Sequence, residues 1–229
     1  MRLNIKFLMM IVLVVAPGCI KYYDLAKSEF PQGEKQPDQR EVAQRYRRVA
    51  RVYDEFETKA IFYGLWLSDE VRKSYVDVYS SKRGLSDEAR EEMLKRQLEE
   101  NKHWISFYVL ADVRDKTYTA LNDKNAAWTL YADVDGKKIV PDKDGIRVLD
   151  YLEPELQLFF GKAVFDLFKT GYLIKFPVDP SLADQLTKGS VKQVKIDIHS
   201  TTKNCALVWQ KEELESKRKV TSDEDFYWG

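Results

Sequence analysis

The clearest alternation of apolar and polar side chains lies between Ala126 and Pro141. Its even positions are apolar and its odd positions are mostly polar: Trp128, Leu130, Ala132 and Val134 against Thr129, Tyr131, Asp133 and Asp135. A period of two is what a strand with one buried face requires. Asp135-Gly136 then supplies the positive φ of a tight turn. The stretch therefore predicts a β-hairpin whose return strand begins at Ile139-Val140.

Further strands are predicted on both sides of this hairpin. Trp104–Val113 alternates strongly and has a second, partly apolar face that another element must cover. Thr58–Leu67 is continuously apolar from Ala60, and its aromatic residues and internal glycine favour a strand. Leu156–Phe168 fits either strands interrupted at Gly161 or one short buried helix. The remaining predicted strands are Ile146–Tyr151, Gly171–Val178, Val191–Ser200 and Asn204–Gln210.

Helical periodicity dominates the region before Trp104. From Arg40, apolar residues recur at spacings of 4, 3, 4 and 3, which predicts a helix with one face on the sheet. These residues are Val42, Tyr46, Val49, Tyr53 and Phe56. Ser68-Asp69-Glu70 and Ser86-Asp87-Glu88 each combine an N-cap hydroxyl with acids in the first turn. They predict two more helices, one ending at Gly84 and one near Lys102.

These elements predict an α+β fold in which N-terminal helices pack on an antiparallel β-sandwich. About eight short strands with turns between them are typical of a sandwich. An immunoglobulin-like arrangement is one form of it, although the tryptophan–disulfide signature of true immunoglobulin domains is absent. The predicted organisation is a helical region with one candidate strand at 40–102, the sandwich at 103–210 and a charged tail at 211–229.

The composition argues against several classes of function. The 229 residues hold 37 basic and 37 acidic side chains, and without residues 1–18, which contain Arg2 and Lys6 and no acid, the balance is 35 against 37. A nucleic-acid partner is not expected, because it needs a basic face. Two cysteines without CxxC spacing indicate neither a disulfide framework nor a zinc site, and no cofactor is predicted.

The first eighteen residues are typical of a secretory signal peptide. Two positive charges in Met1–Lys6 precede an unbroken apolar run, Phe7–Ala16. Ten apolar residues are half of the ~20 that a membrane-spanning helix needs, so the run indicates export rather than a permanent membrane span.

Pro17-Gly18-Cys19 completes a pattern that resembles the lipobox of bacterial lipoprotein precursors. The resemblance covers residues 1–19 only and implies cleavage before Cys19 and a diacylglycerol on its sulfur. Ala16 and Pro17 depart from the residues that the family favours, so cleavage by an ordinary signal peptidase is the alternative. Since the residues after Cys19 include no aspartate that would retain the protein at the inner membrane, the resemblance implies anchorage in the outer membrane, facing the periplasm or the cell surface. Residues 19–39 then form a polar tether.

The sequence contains few candidates for catalytic residues, and each of them has a structural explanation. His103 lies at a predicted helix-to-strand junction, where it is solvated or capping. His199 and Cys205 suggest a cysteine–histidine dyad. If Thr202-Lys203 is the turn, the residue numbers of each cross-strand pair sum to 405. Cys205 then points inward and His199 points outward, so the two side chains lie on opposite faces of the hairpin. A buried thiol is the usual state of such a cysteine.

The acidic turns before Gly136 and Gly145 lack the oxygen ligands of a calcium-binding EF-hand loop. They are predicted to be hairpin turns, where Asp and Gly are favoured for backbone reasons. No nucleotide-binding, metalloprotease or serine-hydrolase motif occurs. No catalytic, cofactor-binding or metal-ligating residue is therefore predicted.

The sequence thus predicts a membrane-tethered envelope lipoprotein, held by the lipid on Cys19, that acts as a non-enzymatic binding or assembly module for an envelope protein. The alternative is a peptidoglycan- or carbohydrate-active or -binding protein. That protein would use exposed aromatic residues to stack on sugars and a carboxylate pair for hydrolysis.

Substituting Cys19→Ala tests the anchor. We expect wild-type protein to incorporate a fatty-acid analogue and to fractionate with membranes, and the variant to lose both, because the thiol is the acceptor of the lipid. Metabolic labelling followed by membrane fractionation measures both properties. Wild-type protein that is unlabelled and soluble would show instead that the protein is secreted or periplasmic and has no tether.

Overall fold

The computed structural model describes residues 39–113, 121–123, 126–142, 144–149, 159–160 and 169–223. Gln39–Gly229 forms one compact unit, which begins where the predicted tether ends. The predicted signal peptide, Cys19 and most of the tether lie outside the described residues. So does Leu156–Phe168, apart from Phe159 and Phe160.

The described residues form five helices and nine strands, named here in chain order. The helices are α1 (Gln39–Tyr46), α2 (Asp69–Arg83), α3 (Asp87–Asn101), α4 (Pro180–Thr187) and α5 (Lys211–Asp223). The strands are β1 (Arg47–Asp54), β2 (Glu57–Trp66), β3 (Trp104–Val113), β4 (Thr129–Val134), β5 (Lys137–Ile139), β6 (Ile146–Leu149), β7 (Thr170–Pro177), β8 (Gln193–His199) and β9 (Asn204–Gln210).

The strands form two antiparallel sheets. One has five strands in the order β1-β2-β3-β7-β6, and the other has four in the order β5-β4-β8-β9. Every pair of neighbours is antiparallel. The predicted combination of helices with antiparallel sheet is confirmed.

Side chains from the two sheets meet in one hydrophobic core. The rings of Phe107 and Trp209 lie 5.1 Å apart between centroids, and those of Phe62 and Trp128 lie 5.3 Å apart. In each pair one ring belongs to the five-stranded sheet and the other to the four-stranded sheet or the residue that leads into it. Leu207 is also buried in this core. Alternate residues of both sheets therefore share one apolar layer.

The predicted helix boundaries at α2 and α3 are confirmed. Ser68 and Ser86 have extended φ/ψ, and their hydroxyls accept hydrogen bonds from the backbone N–H groups of Val71 and Ala89. Gly84 ends α2 at φ 62°, a left-handed conformation that glycine adopts without a Cβ penalty. These helices begin and end where local capping chemistry places them.

The predicted helix over Arg40–Phe56 is wrong beyond Tyr46, because β1 begins at Arg47. Ala50 and Val52 are buried, whereas Val49 and Tyr53 are 43% and 54% exposed. Val49 and Tyr53 fit a helical spacing, whereas Ala50 and Val52 are two residues apart and fit the period of a strand. Pairing with β2, in which Ala50 faces Phe62, gives the backbone N–H and C=O groups of this segment hydrogen-bond partners. This pairing selects the strand over the helix.

The predicted division at residue 103 is also wrong. β1 and β2 precede it and belong to the five-stranded sheet, where β2 lies between β1 and β3. The 40–102 region therefore contains two strands rather than one. The predicted charged tail begins with a helix, α5, which directly follows β9.

The two predicted hairpins form, one of them in a different register. β4 and β5 are joined by Asp135 (φ 48°) and Gly136 (φ 91°), as the turn signal predicts. In the β8–β9 hairpin, Cys205 pairs with Ile198, so paired residues sum to 403 rather than 405. The turn lies one residue earlier than predicted, because the Ser200 N–H donates to the Lys203 carbonyl at 2.8 Å and pairs these two residues. A shift of two preserves the face of every side chain.

Among the described helices, none is both long enough and apolar enough to cross a bilayer.

Side chains of the other sheet lie against the backbone of β2 at Gly64, so Gly64→Val tests the packing of the two sheets. A Cβ there would lie 2.6 Å from Leu207 Cδ1 and 3.3 Å from the Trp209 ring. We expect the free energy of unfolding to fall by about 1–3 kcal/mol, because the core is overpacked. Urea unfolding measures the change. The control Thr58→Val, on the same strand, should stay within about 0.5 kcal/mol of wild type. Equal stability of the two variants would contradict the close packing.

Candidate functional site

His199 and Cys205 lie on opposite faces of the β8–β9 hairpin, as predicted. His199 Nε2 lies 2.9 Å from Tyr131 Oη on β4, and the two rings stack with centroids 5.1 Å apart. Cys205 instead pairs with Ile198 and shares a face with Leu207 and Trp209. The predicted separation of the two side chains is confirmed, since a register error of two leaves the faces unchanged.

Burial governs the chemistry of Cys205. It raises the pKa of the thiol from 9.0 to about 11, and the negative charge of Asp197 adds to the rise. A thiolate is the nucleophilic form of cysteine. The environment of Cys205 therefore favours an inert thiol.

The first acidic turn is held by bonds from its carboxylates to the backbone, and the second by a bond between backbone groups. Asp135 accepts hydrogen bonds from the N–H groups of Lys192 and Gln193, and Asp133 accepts one from Gly136 N–H at 2.8 Å. At the second turn, the N–H of Gly145 bonds to the carbonyl of Asp142 at 2.9 Å. The described residues contain no group of three or more side chains suited to a metal ion. The hairpin-turn interpretation is confirmed for Asp135-Gly136. It is wrong for the turn at Gly145, because β5 and β6 on either side of it belong to different sheets.

His103 lies at the junction of α3 and β3, with its side chain 67% exposed and its Nε2 4.0 Å from Glu99 Oε1. This matches the predicted solvated position. Cys19, the predicted lipidation site, lies outside the described residues.

A cavity of about 300 Å³ lies where strands of both sheets begin or end. Its aromatic walls come from the last residue of α1, the last of β2, the first of β3 and the last-but-one of β9: Tyr46, Trp66, Trp104 and Trp209. We call it the aromatic pocket. Its volume and largely apolar lining are typical of small binding sites.

Three contacts hold the aromatic walls in place. Trp209 Nε1 donates a hydrogen bond to the backbone carbonyl of Tyr46 at 2.6 Å. The rings of Tyr46 and Trp66 meet edge to face at 5.8 Å. Trp209 also packs on Phe107 inside the core. Two of the walls are thereby fixed to the core, while Trp66 and Trp104 are only partly buried and present ring surface to the cavity.

Carboxylates at the start of α2 form part of the pocket wall, and each is tied to a neighbour. Glu70 accepts a hydrogen bond from the Tyr46 hydroxyl at 2.7 Å and lies 2.7 Å from Arg45 Nη2. Asp69 accepts one from Asn101 Nδ2 at 2.5 Å. These bonds orient the carboxylates and join α1, α2 and α3 at the pocket.

Basic side chains form another part of the wall. Lys192 lies just before β8, and Lys211 begins α5 with its Nζ 3.8 Å from Glu215 Oε1. The pocket thus combines an aromatic interior with charges of both signs. This arrangement suits a ligand or partner group that is apolar at its centre and polar at its edge.

Sequence patterns missed the aromatic pocket. Its three tryptophans are separated by 38 and 105 residues in the chain, and only the meeting of strand ends brings them together. The one available signal was that Trp66, Trp104 and Trp209 each lie at or next to the end of a predicted strand. Alternation identifies a face of a strand but does not identify which ends meet.

Comparison with protein-family models, curated proteins and solved structures finds no match to this chain.

The raised pKa of Cys205 predicts slow reaction with thiol reagents. In a Cys19→Ser variant, where Cys205 is the sole thiol, we expect the native protein at pH 8 to react about 100-fold more slowly with a disulfide reagent than the urea-unfolded protein, because far less thiolate is present. Stopped-flow absorbance measures both rates. Equal native and unfolded rates would contradict the burial of the thiol.

The same shift has a pH-dependent effect on stability. Because the folded pKa of about 11 exceeds the ordinary value of 9.0, the contribution of the neutral thiol to stability is fully present below pH 9.0 and is lost as the pH rises towards 11.

Proposed function

We propose that this chain is an exported bacterial lipoprotein, lipidated at Cys19 and anchored in the outer membrane, whose body is a non-enzymatic binding module. The signal-like residues 1–18 and the lipobox-like Pro17-Gly18-Cys19 support the anchor. The compact unit begins at Gln39, so residues 20–38 would separate the lipid from the body. A body tethered in this way is well placed to hold another envelope component.

The aromatic pocket is the observation that supports a binding role. Trp66 and Trp104 are only half buried although they are large and apolar. Tryptophan is the residue type most enriched among the side chains that dominate binding energies. The fixed positions of Tyr46 and Trp209 pre-organise the pocket, which lowers the entropy lost on binding.

Binding rather than catalysis is supported by the state of the pocket carboxylates. Glu70 is engaged by Tyr46 and Arg45, and Asp69 by Asn101. A general acid or base must exchange a proton with a substrate within hydrogen-bond reach. The carboxylates of Asp69 and Glu70 already join α1, α2 and α3 through hydrogen bonds. We therefore assign them the role of holding the pocket wall in place.

The ligand that we propose is an apolar side chain of an envelope protein. A cavity of about 300 Å³ accommodates one or two aromatic or aliphatic side chains. Lys192 and Lys211 then pair with polar groups at the rim of the interface, as in protein–protein contacts with an apolar centre.

We further propose that the body is an immunoglobulin-like β-sandwich on which the helices pack. The strand order supports it: β2-β3-β7-β6 corresponds to A-B-E-D of that fold, and β9-β8-β4 to G-F-C, with β5 added beside it. The α2–α3 helical hairpin is then an insertion between the first two of these strands, and it brings Asp69, Glu70 and Asn101 to the pocket.

Site-specific photo-crosslinking in cells tests the binding role. We expect a benzoylphenylalanine in place of Trp104 to crosslink to one defined envelope protein, because residue 104 lines the pocket. The same probe in place of Phe56 is the matched control, since Phe56 is a fully exposed aromatic residue at the β1–β2 turn. Equal crosslinks from both positions, or none from 104, would contradict the proposal. Thermal unfolding of both variants checks that they are folded.

A carbohydrate ligand is the second candidate, and one observation favours it. The buried Oδ1 of Asn101, in the wall of the pocket, has no hydrogen-bond donor among the described residues. A sugar presents hydroxyl donors and an apolar face that stacks on tryptophan. Co-sedimentation with purified peptidoglycan separates the candidates: a carbohydrate ligand predicts sedimentation that Trp104→Ala abolishes and Phe56→Ala preserves.

A further inference from the structure

The helix α5 forms one wall of the aromatic pocket through Lys211, Leu214 and Glu215. It directly follows β9, because Lys211 is the next residue after Gln210. The N–H of Lys211 donates to the carbonyl of Lys192 at 2.9 Å, which extends the pairing of β8 with β9 by one residue. The base of α5 is therefore fixed to the sheet, whereas the rest of the helix depends on its own contacts with the body.

Few apolar side chains are available to hold α5 to the body. A helix on a protein surface commonly carries three or four apolar residues in every two turns. The 13 residues of α5 include only Leu214 and Val220. Leu214 is partly buried and packs against the hydrophobic core, whereas the side chain of Val220 lies outside the described part of the chain. Elements with little buried apolar contact are those that open most readily.

Glu213 fastens the first turn of α5 to the body. Its Oε2 lies 3.1 Å from Arg48 Nη2. Arg48 is itself fixed, because its Nε donates to the carbonyl of Val208 and its Nη1 to that of Arg45, both at 2.8 Å. A hydrogen bond from Lys217 and the charge of Arg48 lower the pKa of Glu213 more than burial raises it. The carboxylate is therefore ionised at neutral pH and holds the helix on Arg48.

Two further ion pairs of α5 lie within the helix. Lys217 Nζ lies 2.7 Å from Glu213 Oε1, and Lys211 Nζ lies 3.8 Å from Glu215 Oε1, each pair four residues apart. Pairs at this spacing stabilise a helix by itself, and they remain intact when the helix leaves the body. We therefore expect α5 to move as a helix once the contacts of Glu213 with Arg48 and of Leu214 with the core are lost.

Several walls of the aromatic pocket present little surface while α5 is in place. Trp209, Tyr46 and Val191 line the cavity but are only 1%, 7% and 8% exposed. A ligand group contacts such walls fully only when an element that lines the cavity moves aside. The lining strands are held in their sheets by ladder hydrogen bonds, whereas α5 can move while both sheets stay intact.

We propose that α5 is a lid on the aromatic pocket, which opens about Lys211 when Glu213 and Leu214 leave the body and thereby admits the ligand. Lids commonly move about a few residues at the end of an element. The lid rests on the proposed function for its ligand, but its motion can be measured without one. If α5 does not move, crosslinking from residue 104 is still expected, because Trp104 presents ring surface in the closed pocket. If nothing crosslinks, the motion of α5 is still measurable.

Thiol labelling of a pocket residue tests the lid. In the full chain carrying Cys19→Ser, Val191→Cys adds a thiol to the pocket wall, and Cys205, at the other end of β9, is the reference thiol. We expect Glu213→Gln to accelerate labelling at residue 191 about two- to fivefold and Leu214→Ala about tenfold, because each variant weakens the closed state. Labelling at Cys205 should stay unchanged. Mass spectrometry of peptides measures the two thiols separately.

Glu212→Gln is the matched control, because it removes a carboxylate from the same helical turn and leaves the pair of Glu213 with Arg48 intact. It should leave labelling at residue 191 unchanged. Two results would overturn the proposal. One is unchanged labelling at residue 191 in both lid variants, and the other is equal acceleration at residues 191 and 205, which indicates global unfolding in place of a separate motion of α5.

Hydrogen exchange of the full chain without the lid substitutions gives an independent measurement that does not depend on any variant folding. We expect the backbone amides of residues 215–217 in α5 to exchange faster than those in the middle of α2, because α2 buries several side chains, among them Val71, Tyr75 and Val76. Equal protection of the two helices would also overturn the proposal.

Discussion

The close approach of the two sheets at Gly64 is the contact on which the body depends. Without a side chain at this position, Leu207 and Trp209 of the opposite sheet lie against the backbone of β2. The Trp209 indole then reaches across the core, packs on Phe107 and donates its N–H to the carbonyl of Tyr46. One side chain thereby connects the second sheet, the first sheet and the end of α1.

This contact also determines where the aromatic pocket forms. Trp209 fills the core at the end of β9, and beyond it the strands stop while helices and loops continue. The ends of α1 and α3 and the start of α2 meet there through Tyr46, Glu70 and Asn101. The space between these elements is lined by large rings because the strands that end there carry tryptophan at their boundaries. A second cavity, of about 220 Å³, lies on the other side of the first sheet, and the buried Arg72 is part of its wall.

Local signals in the sequence predicted those features that depend on local interactions. The N-caps Ser68 and Ser86 and the left-handed Gly84 are settled by bonds within four residues. The Asp135-Gly136 turn depends on backbone conformation at two residues. Trp104–Val113 was predicted with its observed bounds, because ten residues of strong alternation leave no competing period. Cys205 was placed on the correct face although its partner was wrong, since only the parity of the register matters for the face.

The rest depends on contacts that are distant in the chain. Residues Arg47–Asp54 carry two periodicities at once, and only pairing with β2 selects the strand. The position of the turn between Ser200 and Lys203 depends on hydrogen bonds between these two residues, which alternation does not encode. Arg72, Glu100 and Lys175, which line the second cavity, come from three elements and are unremarkable in their own segments. The sequence by itself determined the helix caps at Ser68, Ser86 and Gly84, the Asp135-Gly136 turn and the bounds of β3, while the anchor at Cys19 stays a prediction. Only the tertiary structure decided the strand order and the two cavities, because residues far apart along the chain form them and long-range packing brings those residues together.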